Sequence, residues 1–240
     1  MNVPEQQFDP SEVVAVVVGR AGSKGLPGKN LLPIGGLPMI AHSIGHAFAA
    51  RSVGRVVCST DGSAIAAAAA DAGAEVVLRP SELATDDATV DSAVRHAVRD
   101  LEISATKIVI LYGNIPIRPV DLIDRAVQVL QVTGADSVQS YAPVGKHHPF
   151  WTVRLGDDGD VSPWEANDVY RRQELPPAFI PDGGVIVVTR ESLFTTGSDH
   201  PHAFLGRDRR GVRNQGGCVV DVDDRLDYLV AQAMYAEMAS

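Results

Sequence analysis

The chain has 240 residues, a length typical of one large domain with a substantial core. Its composition, 45% hydrophobic and 21% charged, is that of an ordinary globular protein. The formal net charge of -9 argues against nucleic acid or an anionic membrane as a partner. No stretch approaches the roughly 20 apolar residues that span a bilayer, and the N-terminal residues lack a secretory-signal pattern. Cys58 and Cys218 lack Cys-x-x-Cys spacing, which favours buried free thiols and a cytoplasmic location.

Short apolar runs alternate with segments of helical periodicity along the chain. The apolar runs predict strands at 13–18, 55–59, 75–78, 107–111, 136–141, 185–188 and 218–222. The periodic segments predict helices at 38–50, 63–72, 89–101, 119–132 and 224–238. This alternation predicts a three-layer, Rossmann-like α/β domain with a mostly parallel sheet, in which ligands bind at the carboxyl ends of the strands.

Regular alternation breaks between about residues 142 and 181. This stretch contains two tryptophans, a run of glycine and aspartate turn residues, and the pair Arg171-Arg172. Such a pattern predicts an inserted antiparallel arm rather than another strand–helix unit. The sequence therefore predicts a single domain, 1–240, that contains an arm at 142–181.

The loop after the first predicted strand carries four glycines and three cations, Arg20, Lys24 and Lys29. Glycines allow main-chain N–H groups to approach an anion closely, and the cations neutralise its charge. The loop has neither the Gly-Lys-Ser/Thr of a Walker loop nor the Gly-x-Gly-x-x-Gly of a dinucleotide site. We expect it to bind a nucleoside triphosphate, and a flexible glycine-rich surface turn is the alternative.

Two aspartates, Asp221 and Asp223, follow an apolar run near the end of the chain. Side chains at i and i+2 share one face of a strand, so both carboxylates could bind one cation. Mg²⁺ usually takes one or two carboxylates together with substrate phosphates. The alternative is a pair of solvated aspartates that end a strand before a helix capped at Asp224.

The glycine loop resembles the signature of the acylneuraminate cytidylyltransferases, the CMP-sialic acid synthetases and their relatives. That signature runs Ala-Arg-Gly-Gly-Ser-Lys-Gly-hydrophobic-Pro-x-Lys-Asn, and the family also has an Asp-x-Asp metal site where this chain has Asp221 and Asp223. This chain has Gly19 where the signature has alanine and Ala21 where it has glycine. The resemblance implies catalytic roles for Arg20, Lys29 and Asp223, and CTP binding by Gly19, Arg20, Ala21, Gly22, Ser23, Lys24, Lys29 and Asn30.

Two further segments extend the resemblance in the nucleotide half. Residues 58–61 are similar to the family's Ser-Thr-Asp-Asp, which implies nucleotide binding by Ser59 and Asp61. Residues 79–88 are similar to its Arg-Pro-x-Glu-Leu-Ala-x-Asp-x-Ala segment, which implies that Arg79 and Ala88 lie at the cytosine end. Without the resemblance, residues 58–61 could equally be a turn with Asp61 as a helix cap, and residues 79–88 could equally be a solvated loop with an exposed arginine.

The sugar half departs from the family pattern. Tyr112 replaces a glutamine, Val90 replaces a serine and Asp182 replaces an asparagine. The carboxylate at Asp182 would repel the carboxylate of an acidic sugar, so we expect an acceptor other than plain N-acetylneuraminate. The resemblance implies that the acceptor is bound by Val90, Tyr112, Asn114, Arg118, Arg172 and Asp182.

The resemblance implies transfer of CMP from CTP to the anomeric hydroxyl of a 2-keto-3-deoxy sugar acid of the sialic, legionaminic or pseudaminic type. It also implies Mg²⁺ and a homodimer whose arm contributes residues, Arg172 among them, to the neighbouring site. An octulosonic acid acceptor is an alternative, because residues 112–116 partly echo that family's Gln-Gly-Asp-x-Pro with Asn114 in place of the aspartate. The sequence also leaves open a non-catalytic nucleotide-binding homologue and an enzyme that uses GTP or UTP.

Overall fold

A computed structural model describes residues 7–23, 25–195 and 202–239. Its strands are β1 Val13–Val18, β2 Pro33–Ile34, β3 Leu37–Pro38, β4 Arg55–Thr60, β5 Glu75–Leu78, β6 Lys107–Tyr112, β7 Ser137–Pro143, β8 Val153–Leu155, β9 Val161–Pro163, β10 Phe179–Thr189 and β11 Arg209–Arg213. Its α-helices are α1 Met39–Ala49, α2 Ser63–Asp71, α3 Val90–Asp100, α4 Leu122–Thr133, α5 Arg190–Phe194 and α6 Arg225–Met238.

The main sheet has seven strands in the order β11-β7-β10-β6-β1-β4-β5. The β6-β1-β4-β5 half is entirely parallel, and β10 is antiparallel to both of its neighbours. Because the carboxyl ends of β1, β4 and β6 meet at one edge, the loops that follow them form a single surface. The predicted mostly parallel sheet is confirmed.

Helices cover both faces of this sheet. The central strand β1 is buried along its whole length, and its alternate side chains enter two different apolar clusters. One cluster packs against α1, α2 and α4, and the other packs against α3 and α5. A strand with apolar residues on both faces suits this central position, because neither of its faces contacts water. The predicted three-layer arrangement is therefore confirmed.

The predicted strand at 218–222 is wrong. Only Val220 forms a bridge there, with Ile117, and the segment is otherwise irregular. The segment carries apolar residues for another reason: Val220 and Val222 are buried in a small cluster beneath α6. The last strand of the sheet is instead β11, which the sequence did not reveal because four of its five residues are exposed and three are arginines.

Both cysteines are free, but only Cys58 is buried, and Cys218 is partly exposed. The expectation of two buried thiols is therefore wrong for Cys218. Among the residues that the structure describes, no helix is long and apolar enough to cross a bilayer.

Between β7 and β10 the chain leaves the main sheet. Residues 144–178 contain the short antiparallel pair β8 and β9, together with loops and single turns. The first and last residues of the expected arm at 142–181 belong to the strands β7 and β10 of the main sheet. Several large apolar side chains of this arm are exposed, including Leu155, Val161, Trp164 and Tyr170.

Candidate functional site

The glycine loop leaves the carboxyl end of β1 and is closed by its own side chains. The Gly19 N–H donates to the Ser59 carbonyl at the end of β4 (3.1 Å), which fixes the start of the loop. Asn30, which is buried, donates from Nδ2 to the Arg20 carbonyl (2.9 Å). Asp61 Oδ1 accepts from the Ala21 N–H (2.9 Å). These bonds hold the loop against the edge of the sheet.

The two predicted metal-binding aspartates face this loop. The Val222 N–H donates to the Asn114 carbonyl (3.0 Å), so their segment lies beside the loop that follows β6. A Cβ on Gly25 would lie 2.6 Å from the Asp223 carbonyl oxygen, which shows how closely the glycine loop approaches the acids. Asp221 and Asp223 are brought to one place, although by an irregular segment rather than by the predicted strand.

A capping box at the start of α6 fixes the position of this segment. Asp224 Oδ1 accepts from the Asp227 N–H (3.0 Å), and Asp227 Oδ2 accepts from the Asp224 N–H (3.1 Å). Asp227 Oδ2 also accepts from the Asp223 N–H (3.0 Å). The expected helix cap at Asp224 is confirmed, and it exists together with the acid pair rather than in place of it.

A cation and an amide contact the acid pair. Lys29 Nζ lies 2.7 Å from Asp223 Oδ1. Asn114 Nδ2 donates to Asp221 Oδ1 (2.5 Å) and lies 3.4 Å from Asp223 Oδ1. The two carboxylates are thus held close together by donors from two different loops.

The pKa of Asp221 reflects both its burial and the charge of the neighbouring Asp223. Burial, followed by the neighbouring charge of Asp223, raises the pKa of Asp221 from 3.8 to about 6, and Lys29 opposes the rise. A divalent cation would remove this repulsion, and two carboxylates suit Mg²⁺ or Mn²⁺. Within the described residues no group of three or more histidine, cysteine or acidic side chains could hold a metal ion. Two carboxylates match the one or two that Mg²⁺ usually takes together with phosphate and water oxygens.

A cleft of about 360 Å³ opens between the glycine loop, the acids and the loop that follows β5. Most of the predicted site residues line it: Gly19, Arg20, Lys29, Asn30, Arg79, Ala88, Val90, Tyr112, Asn114, Asp221 and Asp223.

The structure also brings Asp86 into the lining, which sequence reasoning missed. Arg20 Nη1 donates to Asp86 Oδ1 (2.8 Å) and to the Thr85 carbonyl (3.3 Å). The acidic pair at 86–87 was the signal available in the sequence, but Arg20, the partner of Asp86, is 66 residues away.

Three buried polar atoms in the nucleotide half lack a hydrogen-bond partner among the described residues. They are Asn30 Oδ1, Ser59 Oγ and Arg79 Nε. Burial lowers the pKa of Arg79, and the charge of Asp61 opposes this. Because buried polar groups are nearly always paired in folded proteins, such a cluster indicates a ligand that pairs with some of them.

The remaining predicted residues lie outside the lining: Ala21, Gly22, Ser23, Ser59, Asp61, Arg118, Arg172 and Asp182. Lys24 lies outside the described residues. Arg172 is exposed on the arm. Ser59 and Asp61 lie behind the glycine loop, where their contacts support it.

Asp182 does not present a free charge to an acceptor. Its Oδ1 accepts from Ser140 Oγ (2.5 Å) and the Gly184 N–H (3.0 Å), and its Oδ2 accepts from Asn214 Nδ2 (2.7 Å). These three bonds turn the carboxylate toward β7 and the end of β11. The expected repulsion of an acidic sugar by Asp182 is therefore not supported by its position.

Arg118 is buried behind the cleft, 3% exposed, rather than at its surface. Its guanidinium donates to the carbonyls of Tyr112 (3.0 Å), Ile115 (2.7 Å) and Gly184 (2.7 Å). Nη1 also donates to Ser43 Oγ (2.9 Å). Arg118 thus supports the loop that carries Tyr112 and Asn114, a role that its position in the sequence did not reveal.

The glycine loop faces paired acids at the carboxyl edge of a mostly parallel sheet, and the fold is that of the Rossmann-like nucleotidyltransferases. Among solved structures, a CMP:2-keto-3-deoxy-manno-octonic acid synthetase complexed with CTP shares this fold. The likeness has a TM-score of 0.74 at 18% identity and covers 95% of this chain and 99% of that one.

The family follows from the sequence comparisons. Residues 14–158 match the family model described as Cytidylyltransferase, and the chain belongs to this family. It is 32% identical to the N-acylneuraminate cytidylyltransferase of Streptococcus agalactiae over 90% of this chain and 51% of that protein. It is 33% identical to the CMP-N,N'-diacetyllegionaminic acid synthase of Legionella pneumophila over 92% of this chain and 95% of that protein. The chain thus spans about half the length of the streptococcal relative and nearly all of the Legionella one.

Proposed function

We propose that the chain transfers CMP from CTP to the anomeric hydroxyl of a 2-keto-3-deoxy sugar acid, a nonulosonic acid of the sialic, legionaminic or pseudaminic type, and releases pyrophosphate. The observation that carries the proposal is the convergence of Arg20, Lys29 and the acid pair on one cleft. The names of the streptococcal and Legionella relatives support this acceptor class.

In this proposal the triphosphate of CTP lies over the glycine loop. Arg20 and Lys29 are the cations that bind it, and each is paired with a carboxylate in the structure, Asp86 and Asp223 respectively. Phosphate oxygens would replace these carboxylates as partners, at little net cost in charge pairing. The unpaired atoms of Asn30 and Arg79 favour the same half of the cleft for the nucleoside.

Asp221 and Asp223 would hold the divalent ion, which we take to be Mg²⁺. Such an ion neutralises charge on the phosphates when it is bound. Asn114 keeps the two carboxylates together through Nδ2. Since the two carboxylates would be its only acidic ligands from the described residues, phosphate and water oxygens complete the site.

The reaction replaces one oxygen–phosphorus bond by another. The anomeric oxygen forms a bond to the α-phosphorus and gives up its proton to water, and the bond between the α-phosphorus and the bridging oxygen to the β-phosphate breaks, so that pyrophosphate leaves with that bonding electron pair. Negative charge develops on the pyrophosphate that leaves, and Arg20 and Lys29 would stabilise it. Phosphoryl transfer of this kind depends mainly on positioning and charge, so a strong protein base is not required.

The acceptor would approach from the side of Tyr112 and Val90. Both line the cleft and pack against the apolar cluster beneath α3, so this wall is less polar than the family pattern. An octulosonic acid is the second candidate acceptor, because residues 112–116 partly echo that family's Gln-Gly-Asp-x-Pro motif. Asn114 donates from Nδ2 to both acids, which the aspartate of that motif could not do, so this contact favours the nonulosonic acid.

We also propose that the chain works as a homodimer through the arm at 142–181. The exposed apolar side chains of Leu155, Val161 and Trp164 support this, because a monomer rarely leaves such a group in water. Arg172 would then reach the neighbouring site. Mixing an Arg172→Ala variant with an Asp223→Asn variant should restore activity if Arg172 acts across the dimer, and should restore none if it acts within one chain.

The deciding test is an assay of pyrophosphate release from each of CTP, GTP, UTP and ATP against a panel of nonulosonic and octulosonic acids. We expect activity with CTP and a nonulosonic acid. Equal or greater activity with an octulosonic acid would select the second candidate. CTP binding without release of pyrophosphate from any acceptor would indicate a non-catalytic homologue, and a preference for GTP or UTP would contradict the assignment of the nucleotide.

A further inference from the structure

The guanidinium of Arg118 joins two chain segments that lie next to Asp221. Its Nη1 and Nη2 bind the carbonyls of Ile115 and Tyr112, in the loop that follows β6. Its Nε binds the carbonyl of Gly184, in the irregular part of β10. One side chain therefore sets the distance between a loop and a strand that are about 70 residues apart in sequence.

Both segments reach Asp221. The first carries Asn114, whose Nδ2 donates to Asp221 Oδ1 (2.5 Å). The second carries Gly183, where a Cβ would lie 3.5 Å from Asp221 Oδ2 and 2.9 Å from the Ile115 Cδ1. A change in how Arg118 holds either segment would thus move a group that touches or adjoins Asp221.

The surroundings of Arg118 contain few charges to offset its burial. Four of its hydrogen bonds go to neutral oxygens, and His46 Nδ1 lies 3.3 Å from Nη1. Burial, then the charge of Arg118, lowers the pKa of His46 to about 3, so the imidazole is neutral and can accept a hydrogen bond. The charges that favour the guanidinium come from Asp221 and Asp182. A buried cation held mainly by carbonyls is a costly way to tie two segments, which favours a role beyond stability.

We propose that Arg118 is a positioning residue for the transfer reaction: by clamping the Tyr112–Ile115 loop to Gly184, it fixes Asn114 and the acceptor side of the cleft relative to Asp221. It does not touch the nucleotide half, where Arg20, Lys29 and Arg79 lie. This inference rests on the proposed function for its kinetic consequence, but its structural consequence can be measured without any substrate.

The substrate-free test compares two side-chain amides in protein labelled with ¹⁵N-asparagine. Asn114 Nδ2 bonds Asp221 in the acceptor half, and Asn30 Nδ2 bonds the Arg20 carbonyl in the nucleotide half. In Arg118→Met, hydrogen exchange at Asn114 should rise about tenfold relative to Asn30, because the loop loses its clamp. Arg118→Lys should show a smaller rise, since an ammonium group can replace only some of the bonds.

Arg125 supplies the matched control. It too binds a carbonyl of a neighbouring segment, that of Arg213 (3.1 Å), and it does not line the cleft. Arg125→Met should lower the melting temperature without a selective change at Asn114. If Arg118→Met does not fold, Arg118→Lys carries the same comparison.

The kinetic arm measures kcat and the KM of the acceptor in Arg118→Met and Arg125→Met. In Arg118→Met, kcat over the acceptor KM should fall by about a hundredfold, and in Arg125→Met it should fall by less than about threefold. Equal rises in exchange at Asn30 and Asn114, no rise at either, or equal falls in kcat over KM in the two variants would overturn the proposal. If wild type binds CTP but turns over no sugar acid, the proposed function fails, and the exchange comparison alone decides the role of Arg118.

Discussion

Replacing Asp221 by asparagine should stabilise the protein when no metal is bound, and only above acidic pH. The pKa of Asp221 in the folded protein is raised from 3.8 to about 6, chiefly by burial and then by Asp223. A raised folded-state pKa means that its contribution is most favourable below the unfolded-state pKa. The free energy of unfolding should therefore fall as pH rises through about 6, and asparagine, which cannot ionise, should remove this fall.

The size of the effect follows from the shift. A difference of about two pKa units corresponds to roughly 3 kcal/mol if none of the interaction is screened. The carboxyl of Asp221 is largely desolvated, whereas the residue as a whole is exposed in the cleft, and screening by solvent there reduces the expected gain to about 1 kcal/mol. The gain should be complete near pH 8 and much smaller near pH 4, where the carboxyl is protonated in the folded protein and only partly ionised in the unfolded chain.

Urea unfolding in the presence of EDTA, at about pH 4 and about pH 8, measures this difference. Asp87→Asn is the matched control, because Asp87 is exposed and lies outside the cleft lining. It should show no comparable dependence on pH. A gain in Asp221→Asn that is equal at both pH values, or a loss of stability at pH 8, would refute the interpretation that crowded charge at the acid pair costs stability.

Three further predictions concern the loop and the helix behind the acids. Lys29→Ala should lower the rate of pyrophosphate release by about a hundredfold or more, because the developing charge loses its cation, and a near-normal rate would reject this role. Gly25→Ala should weaken CTP binding about tenfold, since its Cβ meets the Asp223 carbonyl at 2.6 Å, whereas Gly22→Ala, with open space around it, should not. Asp224→Ala should lower the free energy of unfolding by about 1 kcal/mol through loss of the α6 cap, and Asp224→Asn by less; denaturant titration that finds equal losses would contradict the capping role.

The layer architecture could be predicted because the sequence pattern and the packing agree. The run of valines at 13–18 has apolar side chains on both faces, and both faces are buried in the structure. The periodic segment that forms α3 also begins at a recognisable cap, Thr89, whose side chain accepts from the Ser92 N–H. Local signals of this kind identify elements whenever burial follows the strand or helix period.

Elements and roles that depend on distant partners could not be predicted. The segment at 218–222 has the composition of a strand, but its valines are buried under α6, a contact that composition alone cannot distinguish from sheet packing. The strand β11 lies at a sheet edge, where exposed arginines hide its pattern. The hydrogen-bond partners of Asp182 and Arg118, which are Ser140, Asn214 and several carbonyls, come from other strands and loops and could not be read from the local sequence.

Calorimetric titration with CTP, in the presence and absence of Mg²⁺, tests the central claim most directly. The account predicts that binding heat with CTP and Mg²⁺ is strong in the wild type and is greatly reduced when Mg²⁺ is omitted or when Asp221 and Asp223 are both replaced by asparagine. No heat with CTP and Mg²⁺, or equal affinity in the doubly substituted variant, would contradict it.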